Sequence, residues 1–324
     1  MSLVEKLTYI VMCTLAVLAL VGVVSFLVIM SHSTGREGLT VEVPKVPKVP
    51  KVPEVHEVPE VHEVPEVHEV PRVPKVLWTY WDDAVMPPVV RFAIDSWKRW
   101  NPSWTIHVIT NKTIGLYVDV TTFRHADSLQ RLSDYVRLNV LAEHGGVWSD
   151  ASIIMTQSLD WMLRDMDASQ CTFFGYYLDG FTTDMRYPIL ESWFFACTPR
   201  NPFVQEWRDA FMLLDEFDSV QAYIAHVKAT TDLQNLSIPE YLTIHVAAQL
   251  AMQHRIPKDV RDSMYFRKAE DGPFKYLVTN GWDSATAVRS LCTVRREDMP
   301  PLVKLRGLER EQVDEGMEAL QCLY

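Results

Sequence analysis

The sequence has no excess of positive charge. Its 324 residues include 31 lysines and arginines against 42 aspartates and glutamates, which gives a formal net charge of −11. General binding to nucleic acid needs a basic surface, so this balance excludes it as the main function. A local pocket for a diphosphate remains compatible with the charge. The content of 48% hydrophobic and 23% charged residues is ordinary for a protein with a globular core.

Cysteine is scarce, and no CxxC pair occurs. This excludes a dense disulfide framework and disfavours a metal site built on cysteine. We interpret the cysteines mostly as free buried thiols. In an oxidising lumen, one or two disulfides could form, although the sequence indicates no pairing. The five residues are Cys13, Cys171, Cys197, Cys292 and Cys322.

Charged residues are absent from positions 9–30, a run of 22 residues. A bilayer core is spanned by about 20 apolar residues, whereas the apolar part of a cleaved signal peptide, the alternative, is usually about 7–15 residues long. We therefore predict a short tail at 1–8 and a single transmembrane anchor at 9–30. The few flanking charges do not fix the orientation, so the lumen of the Golgi or ER and another membrane surface both stay open.

A three-residue repeat follows the predicted anchor. From Val43 to Val76 a valine occupies every third position, and proline, histidine and charged residues fill the positions between. Polyproline II has three residues per turn and rises about 3.1 Å per residue, so we predict an extended stalk over 31–75. His56, His62 and His68 would lie about 19 Å apart in such a helix, too far to share one metal ion.

Strand-like apolar runs alternate with amphipathic helical stretches in residues 76–324. This alternation predicts an α/β sandwich with a mostly parallel sheet, and such folds bind ligands at the carboxyl ends of their strands. The glycine pair at 145–146 is predicted to end the strongest helix. Strands are predicted at 76–81, 105–110, 147–155, 172–178 and 192–197, and helices at 88–100, 128–144, 201–216 and 239–254.

Polar residues cluster on both sides of this glycine pair. Asp134 and Arg137 are three positions apart on the predicted helix, so they project from one face. On the strand that follows, Trp148, Asp150 and Ser152 would share one face, because side chains alternate with a period of two. The turn would then bring Asp134, Arg137 and Asp150 to one edge of the sheet.

This combination suits transfer from a nucleotide-sugar. The departing diphosphate develops negative charge, which a divalent cation held by a carboxylate neutralises, while Asp and Arg bond to sugar hydroxyls as acceptor and donor. The spacing alone also allows a structural role, in which Asp134 forms a surface ion pair with Arg131 or Arg137 and Asp150 is a turn residue. Glu191 is either an acceptor contact or, more commonly for such residues, a solvated loop charge.

Several stretches together resemble a known family. The strings SDYVRL at 133–138 and GGVWSDAS at 145–152 resemble the capsular polysaccharide synthesis family. That family belongs to the DXD-containing sugar-binding glycosyltransferases and is related to the yeast initiating mannosyltransferase and the clostridial toxin glucosyltransferases. The stretches KVLWTYW at 75–81, SWFFACTPRNPF at 192–203 and PLVKL at 301–305 are similar to further segments of it. The order of the motifs is specific, although no single motif is.

The resemblance implies a fold and a reaction for residues 76–324. The fold is of the GT-A type, a nucleotide-binding α/β sandwich with a Rossmann-like, mostly parallel sheet flanked by helices. The reaction is transfer of a sugar from a UDP- or GDP-sugar to an acceptor hydroxyl on a glycan. By analogy with related families, it retains the anomeric configuration through front-side displacement and depends on a divalent cation, Mn²⁺ or Mg²⁺.

The resemblance also assigns roles to individual residues. Asp150 matches the first Asp of the DXD motif and is predicted to be catalytic and to bind the metal. Ser152 occupies the position of the second Asp, which departs from the wider superfamily. It is predicted to contribute to the metal and donor site through a metal-bound water or a phosphate oxygen.

Four further residues follow from the same comparison. Asp134 and Arg137 match the helix pair that holds the donor sugar, and both are predicted to be catalytic. Trp81 matches an aromatic residue that stacks on the nucleotide base, with a core tryptophan as the alternative. Lys304, in the C-terminal segment, is predicted to meet the diphosphate of the donor.

Two other functions stay open on the sequence. Because Ser152 replaces an aspartate, the domain could be a catalytically degenerate module that binds a glycan or a nucleotide-sugar on a membrane stalk. Because the stalk is so repetitive, the domain could also be a structural spacer or adhesin at a surface.

Overall fold

The computed structural model describes residues 72–83, 85–314, 320, 322 and 323. All of them belong to one compact unit, Val70–Tyr324. The predicted anchor at 9–30 and the predicted stalk as far as residue 71 lie outside the described residues. Of the helices within the described ranges, none combines the length and the apolar character that crossing a membrane requires.

The described ranges contain eight strands, two of which, at residues 173–177 and 190–197, carry six of the buried aromatic residues. We name them in chain order, and their bounds are β1 (Val76–Tyr80), β2 (Thr105–Ile109), β3 (Gly146–Ser149), β4 (Ile153–Met155), β5 (Phe173–Tyr177), β6 (Leu190–Cys197), β7 (Met264–Lys268) and β8 (Leu302–Lys304).

Six of these strands form one mixed sheet in the spatial order β2-β1-β3-β6-β5-β7. Strand β1 pairs parallel with β2 and β3, and β5 pairs parallel with β7. Only β6 runs in the opposite direction, because it pairs antiparallel with both β3 and β5. The predicted α/β fold with a mostly parallel sheet is confirmed.

The helices cover both faces of this sheet and bury two separate hydrophobic clusters against it. The helix α1 begins at Pro88 and buries Val89, Ala93 and Trp97, as its amphipathic pattern predicts. The helix bounds are α1 (Pro88–Trp100), α2 (Leu129–His144), α3 (Asp160–Ser169), α4 (Pro202–Met212), α5 (Val220–Lys228), α6 (Thr243–Leu250), α7 (Lys258–Asp262), α8 (Lys275–Thr279), α9 (Ser284–Ser290) and α10 (Gly307–Asp314).

Two predicted helices are shorter than expected. Helix α4 gives way to a 3₁₀ turn at Leu213–Glu216. Residues 239–242 precede α6 outside the helix, and the single-turn π-helix Ala251–Arg255 follows it. The sequence pattern did not separate these turns from α-helix because their apolar residues continue the same buried face.

The predicted strand at 147–155 is also wrong as one element. It divides into β3 and β4, with a turn at residues 150–152 between them. Strand β4 leaves the large sheet and pairs antiparallel with β8, so that Ile153 lies opposite Lys304. This second sheet of two strands joins parts of the chain that are far apart in sequence, which local alternation does not reveal.

The prediction of mostly free cysteines fails for one pair. Cys292 and Cys322 form a disulfide with a Cα–Cα distance of 5.4 Å. Cys197 is a free buried thiol, as expected, and Cys171 is a free half-buried thiol. Cys13 lies outside the described residues. The 3₁₀ turn after α9 presents Cys292 to the C-terminal segment, a juxtaposition that depends on tertiary structure.

Candidate active site

The glycine pair between α2 and β3 fixes the approach of these two elements. Gly145 and Gly146 have φ values of 61° and 96°, in the left-handed region that side chains with a Cβ avoid. A Cβ on Gly146 would lie 2.6 Å from the oxygen of Val76 in β1, and one on Gly145 would lie 2.5 Å from the nitrogen of Pro199. Only glycine at these two positions therefore lets α2 turn directly into β3 while the turn stays so close to the backbone of Val76 and Pro199.

Asp150 follows β3 immediately and is bound on both carboxylate oxygens. Its Oδ1 accepts hydrogen bonds from Arg137 at 3.2 Å and from Trp148 Nε1 at 3.1 Å. Its Oδ2 accepts from Lys304 Nζ at 2.7 Å, and its backbone N–H donates to the oxygen of Trp193 at 2.8 Å. The carboxylate is thus held between two cations at the carboxyl end of β3.

Lys304 reaches Asp150 through the small sheet. It is the last residue of β8, and the pairing of β8 with β4 places it next to the turn that contains Asp150. Its backbone oxygen accepts a hydrogen bond from the hydroxyl of Tyr276 at 2.8 Å. Its Nζ lies 5.9 Å from the centre of the Trp193 ring. The side chain is only 10% exposed, so the ammonium is largely shielded from solvent, while its carboxylate partner stays partly exposed.

Arg137 connects α2 to β6 and to Asp150. Its Nη1 donates to the backbone oxygen of Ser192 at 2.5 Å, and its Nη2 lies 3.3 Å from Asp134 Oδ1. The side chains of Asp134 and Arg137 are 2% and 5% exposed. The alternative of a solvated surface ion pair is therefore wrong, and the predicted meeting of Asp134, Arg137 and Asp150 is observed.

Four buried polar atoms in and around the cluster of Asp134, Arg137 and Asp150 have no hydrogen-bond partner. They are Asp134 Oδ2, Arg137 Nε, Trp193 Nε1 and His245 Nδ1. Buried polar atoms in folded proteins are almost always hydrogen-bonded, and leaving one unpaired costs roughly 1–3 kcal/mol. Their concentration around one carboxylate indicates a site that a polar ligand completes.

Glu191 and His245 extend the polar group. Glu191 Oε2 lies 3.7 Å from His245 Nε2, and both side chains are buried. Glu191 lies in β6, so its interpretation as a solvated loop charge is wrong. His245, on α6, was missed, because a single histidine within an apolar helix has no distinguishing local signal. Burial in the same charged group as Asp134 is what marks it in the structure.

The carboxyl groups of Asp150 and Asp134 have opposite pKa shifts. Burial disfavours ionisation of Asp150, but Lys304 and Arg137 outweigh it and lower its pKa to about 2. Burial raises the pKa of Asp134 to about 6, although Arg137 and His245 oppose the rise. Burial also lowers the pKa of Lys304, against the opposing effect of Asp150. Environments that separate the pKa values of neighbouring acids are typical of functional sites.

The side chain of Ser152 does not lie beside Asp150, where the sequence predicts it. Its hydroxyl donates to the backbone oxygen of Leu305 at 3.1 Å, and the residue is 3% exposed. The prediction that Trp148, Asp150 and Ser152 share one strand face is wrong, because the chain turns at residues 150–152. Trp148 and Asp150 do meet, while Ser152 ties the turn to the C-terminal segment.

The side chains at this turn do not fit a divalent cation as they are arranged. Hard cations prefer several oxygen ligands, and Mg²⁺ requires near-octahedral geometry. Asp150 is the only carboxylate of the predicted metal site, and both its oxygens already accept hydrogen bonds from cations. Within the described ranges, no three or more His, Cys, Asp or Glu side chains come together in a group that could hold a metal. Binding of Mn²⁺ or Mg²⁺ by Asp150 and Ser152 stays a prediction.

Trp81 follows β1 at the same edge of the sheet. Its backbone N–H donates to the oxygen of Ile109 at 2.9 Å, which extends the pairing with β2. The side chain is half-buried and packs against the hydrophobic core. Its position suits both a core tryptophan and a surface that stacks on a base, so base stacking stays a prediction.

Comparison with known structures gives several glycosyltransferases. One is a glycosyltransferase involved in glycosylation of the major capsid of PBCV-1, with a TM-score of 0.43 and 9% identity over 76% of this chain and 99% of that chain. Another is the galactosyltransferase LgtC in complex with donor and acceptor sugar analogues, with a TM-score of 0.41 and 11% identity over 76% of this chain and 94% of that chain.

Comparison with known sequences gives a relative and a family. The O-glycosyltransferase braB of Annulohypoxylon truncatum is 27% identical over 176 residues, which are 47% of this chain and 40% of that protein. This chain therefore matches less than half the length of that relative. The family model described as capsular polysaccharide synthesis protein matches residues 60–287, which include β1, the glycine pair, Asp150 and His245. The chain belongs to the capsular polysaccharide synthesis protein family.

Proposed function

We propose that this chain is a glycosyltransferase that moves a sugar from a UDP- or GDP-sugar to an acceptor hydroxyl on a glycan. The observation that carries the proposal is the group formed by Asp134, Arg137, Asp150 and Lys304 at the carboxyl end of β3, in which only Asp150 is appreciably exposed. Open α/β sheets bind their ligands at this end. Membership of the family and the name of the 27% identical relative, an O-glycosyltransferase, support the same reaction.

The group offers complementary partners for the two parts of such a donor. Lys304 and Arg137 are cations, which suit the diphosphate. Asp134 Oδ2 is an unpartnered acceptor and Trp193 Nε1 an unpartnered donor, and sugar hydroxyls act as both donor and acceptor. Because the unpartnered atoms are enclosed, entry of the donor requires side chains at the rim to move. Asp150, 28% exposed, forms part of that rim.

The chemical step that we propose is front-side displacement with retention. The bond between the anomeric carbon and the diphosphate oxygen breaks, and its electron pair leaves with the nucleoside diphosphate. The acceptor hydroxyl oxygen bonds to the anomeric carbon, and its proton passes to the departing phosphate. The positive charge around Asp150 stabilises the leaving group in the transition state, where such preorganised charge is most effective. We assign the domain to the GT-A type, with Trp81 as the surface on which the base stacks.

We also propose a membrane location for the enzyme. The uncharged run at 9–30 would anchor the chain, and the stalk at 31–75 would hold the catalytic domain away from the bilayer. The disulfide between Cys292 and Cys322 favours an oxidising compartment, where such bonds persist. A lumen of the Golgi or ER type satisfies both features.

Nucleotide-dependent stabilisation tests the proposed donor site. The full chain in detergent is heated with UDP, GDP, CDP, ADP and their sugars, with and without Mn²⁺. A ligand at about 100 times its Kd stabilises by about 2.7 kcal/mol, which raises Tm by about 5–10 °C for a domain of this size. We expect one base to give this shift in the unaltered chain and a smaller shift in Asp150→Asn, because the ammonium of Lys304 then loses the carboxylate that holds it in place. Asp262→Asn, which alters an exposed aspartate paired with Lys258, is the matched control.

Release of sugar from the bound donor distinguishes the enzyme from the degenerate binding module. We expect slow hydrolysis of one nucleotide-sugar by the unaltered chain and about 100-fold less by Asp150→Asn. The substitution removes the carboxylate that aligns Lys304, and a displacement of about 1 Å near the reacting centre has an effect of that order. Binding without hydrolysis or transfer would support the binding module. The absence of any shift with a folded chain would contradict both.

A further inference from the structure

We infer that the ammonium of Lys304, and not a divalent cation, supplies the positive charge against which the nucleoside diphosphate leaves. This inference rests on the proposed function and specifies the charge compensation at the same site. It differs from the metal dependence that the family resemblance implies, and the contacts of Asp150 are the reason.

The first observation is that Lys304 occupies the place where a metal would bind the predicted ligand. Its Nζ lies 2.7 Å from Asp150 Oδ2, and Arg137 lies 3.2 Å from Oδ1. A divalent cation at this carboxylate would have to displace the ammonium and would then sit beside the guanidinium. Like charges at such short range repel, and the low polarity of a buried site strengthens the effect.

The second observation is that the predicted second ligand is turned elsewhere. Ser152 donates its hydroxyl hydrogen to Leu305, the residue that follows Lys304. The same turn that lacks the second carboxylate therefore fixes the backbone that carries the lysine. Ser152 and Lys304 form one arrangement, in which the serine positions β8 and the ammonium provides the charge.

The third observation is that the lysine is held in place and accompanied by a second cation. Pairing with Ile153 fixes its backbone, and the Tyr276 hydroxyl binds its oxygen. Arg137, on the other carboxylate oxygen of Asp150, is the second cation of the site. A diphosphate that enters over Asp150 would therefore meet Lys304 as a direct partner, with Arg137 as a neighbouring positive charge.

The chemical step needs no further reactant. As the sugar leaves, the diphosphate oxygen takes the electron pair of the broken bond, and the ammonium of Lys304 stabilises the resulting charge without losing its own proton. The acceptor hydroxyl provides the proton that the departing phosphate takes up. Lys304 shares its hydrogen bonds between Asp150 and the phosphate, so the carboxylate keeps the ammonium aligned during the reaction.

Binding and turnover in excess EDTA test the inference. Titration calorimetry of the full chain in detergent uses UDP and GDP, and uridine and guanosine as probes without the diphosphate. We expect nucleotide binding and donor hydrolysis to be the same in EDTA as in Mn²⁺. Lys304→Met should weaken binding of the nucleoside diphosphate by about 10–100-fold, as expected when a hydrogen bond to a charged group is lost, and should leave binding of the nucleoside unchanged.

Three variants guard against a merely structural effect. Lys304→Arg keeps the charge and should retain part of the diphosphate affinity. The double variant of Asp150→Asn and Lys304→Met removes the buried pair as a whole, so it should remain folded and still bind the diphosphate weakly. Lys258→Met, in the exposed pair with Asp262, should behave like the unaltered chain.

The outcomes separate this inference from the proposed function. Nucleotide binding or hydrolysis that is lost in EDTA and restored by Mn²⁺ overturns the role of Lys304 and leaves the glycosyltransferase in place. Equal loss of nucleoside and nucleotide binding in Lys304→Met also overturns it, because the lysine would then act only on the structure. Failure of UDP and GDP to bind under either condition contradicts both proposals.

Discussion

Asp134 Oδ1 forms an ion pair with Arg137 Nη2 at 3.3 Å, while the other carboxylate oxygen, Oδ2, is buried without a hydrogen-bond partner. The ion pair is therefore only half satisfied within the protein. A buried carboxylate of this kind favours its protonated form unless a ligand provides donors. Burial raises the pKa of Asp134 to about 6, which makes its charge sensitive to pH in the weakly acidic range.

The stability of the protein should therefore depend on pH through Asp134. The folded protein holds this proton more tightly than the unfolded chain, where the pKa is near 3.8. The stabilising contribution is complete below pH 3.8 and is lost as the pH rises through about 6. The difference is about 3 kcal/mol. Urea unfolding at several pH values should show this loss in the unaltered chain and not in Asp134→Asn. Parallel curves for the two proteins would contradict the assignment.

Gly146 should tolerate no side chain. Gly146→Ala would place a Cβ 2.6 Å from the Val76 oxygen at a φ of 96°, and backbone strain of this kind costs about 1–3 kcal/mol before the steric overlap is counted. We expect unfolding at lower urea and weaker nucleotide binding, because β3 carries Asp150. Gly115→Ala is the control, since a Cβ there meets nothing within 4 Å. Equal stability of the two variants would show that the turn adapts.

Reduction of the disulfide should lower the stability of the folded chain without changing the candidate active site around Asp150. Cys292 and Cys322 are separated by 30 positions, and a crosslink over such a loop contributes about 3–4 kcal/mol in the chain-entropy description. Dithiothreitol should lower the Tm of the unaltered chain and have no effect on Cys292→Ser. Cys171→Ser, which changes a free thiol, should keep the full response to reduction. A response retained in Cys292→Ser would rule out this pairing.

Trp81 should contribute to binding of the base. If the indole stacks on the nucleobase, Trp81→Ala should weaken binding of UDP or GDP by about 10-fold, since stacking on an aromatic side chain is worth roughly 1–3 kcal/mol per base. Trp100→Ala is the control, because Trp100 is half-buried at the end of α1 beneath Arg296. A lower unfolding free energy with unchanged affinity in Trp81→Ala would identify a core tryptophan instead.

The parts of the site that are close in sequence could be predicted from it. Helix α1 has the predicted bounds because Pro88 begins it and a regular apolar face follows. Asp134, Arg137 and Asp150 meet as expected, since a helix, a glycine turn and a strand leave few ways to arrange residues 134–150. The spacing of apolar residues and the residues that begin helices or form turns act over short stretches of chain, so they can be recognised in the sequence.

The remaining parts depend on contacts between distant segments. Lys304 was named through the resemblance, but its 2.7 Å contact with Asp150 depends on the pairing of β4 with β8. His245 approaches Glu191 only because α6 packs beneath β6. The direction of Ser152 is set by Leu305. No local pattern predicts these contacts, because each depends on how elements from distant parts of the sequence pack together.

The pairing of β4 with β8 makes the site sensitive to the completeness of the chain. All six strands of the large sheet are present once Lys268 has been synthesised, yet Asp150 still lacks its lysine at that stage. A chain that ends anywhere between β7 and β8 contains the sequences of all six strands, the glycine pair and Asp150, but it lacks the lysine partner of that aspartate. Early termination in this interval would thus remove, together with Lys304, the part of one hydrophobic cluster that the C-terminal segment supplies.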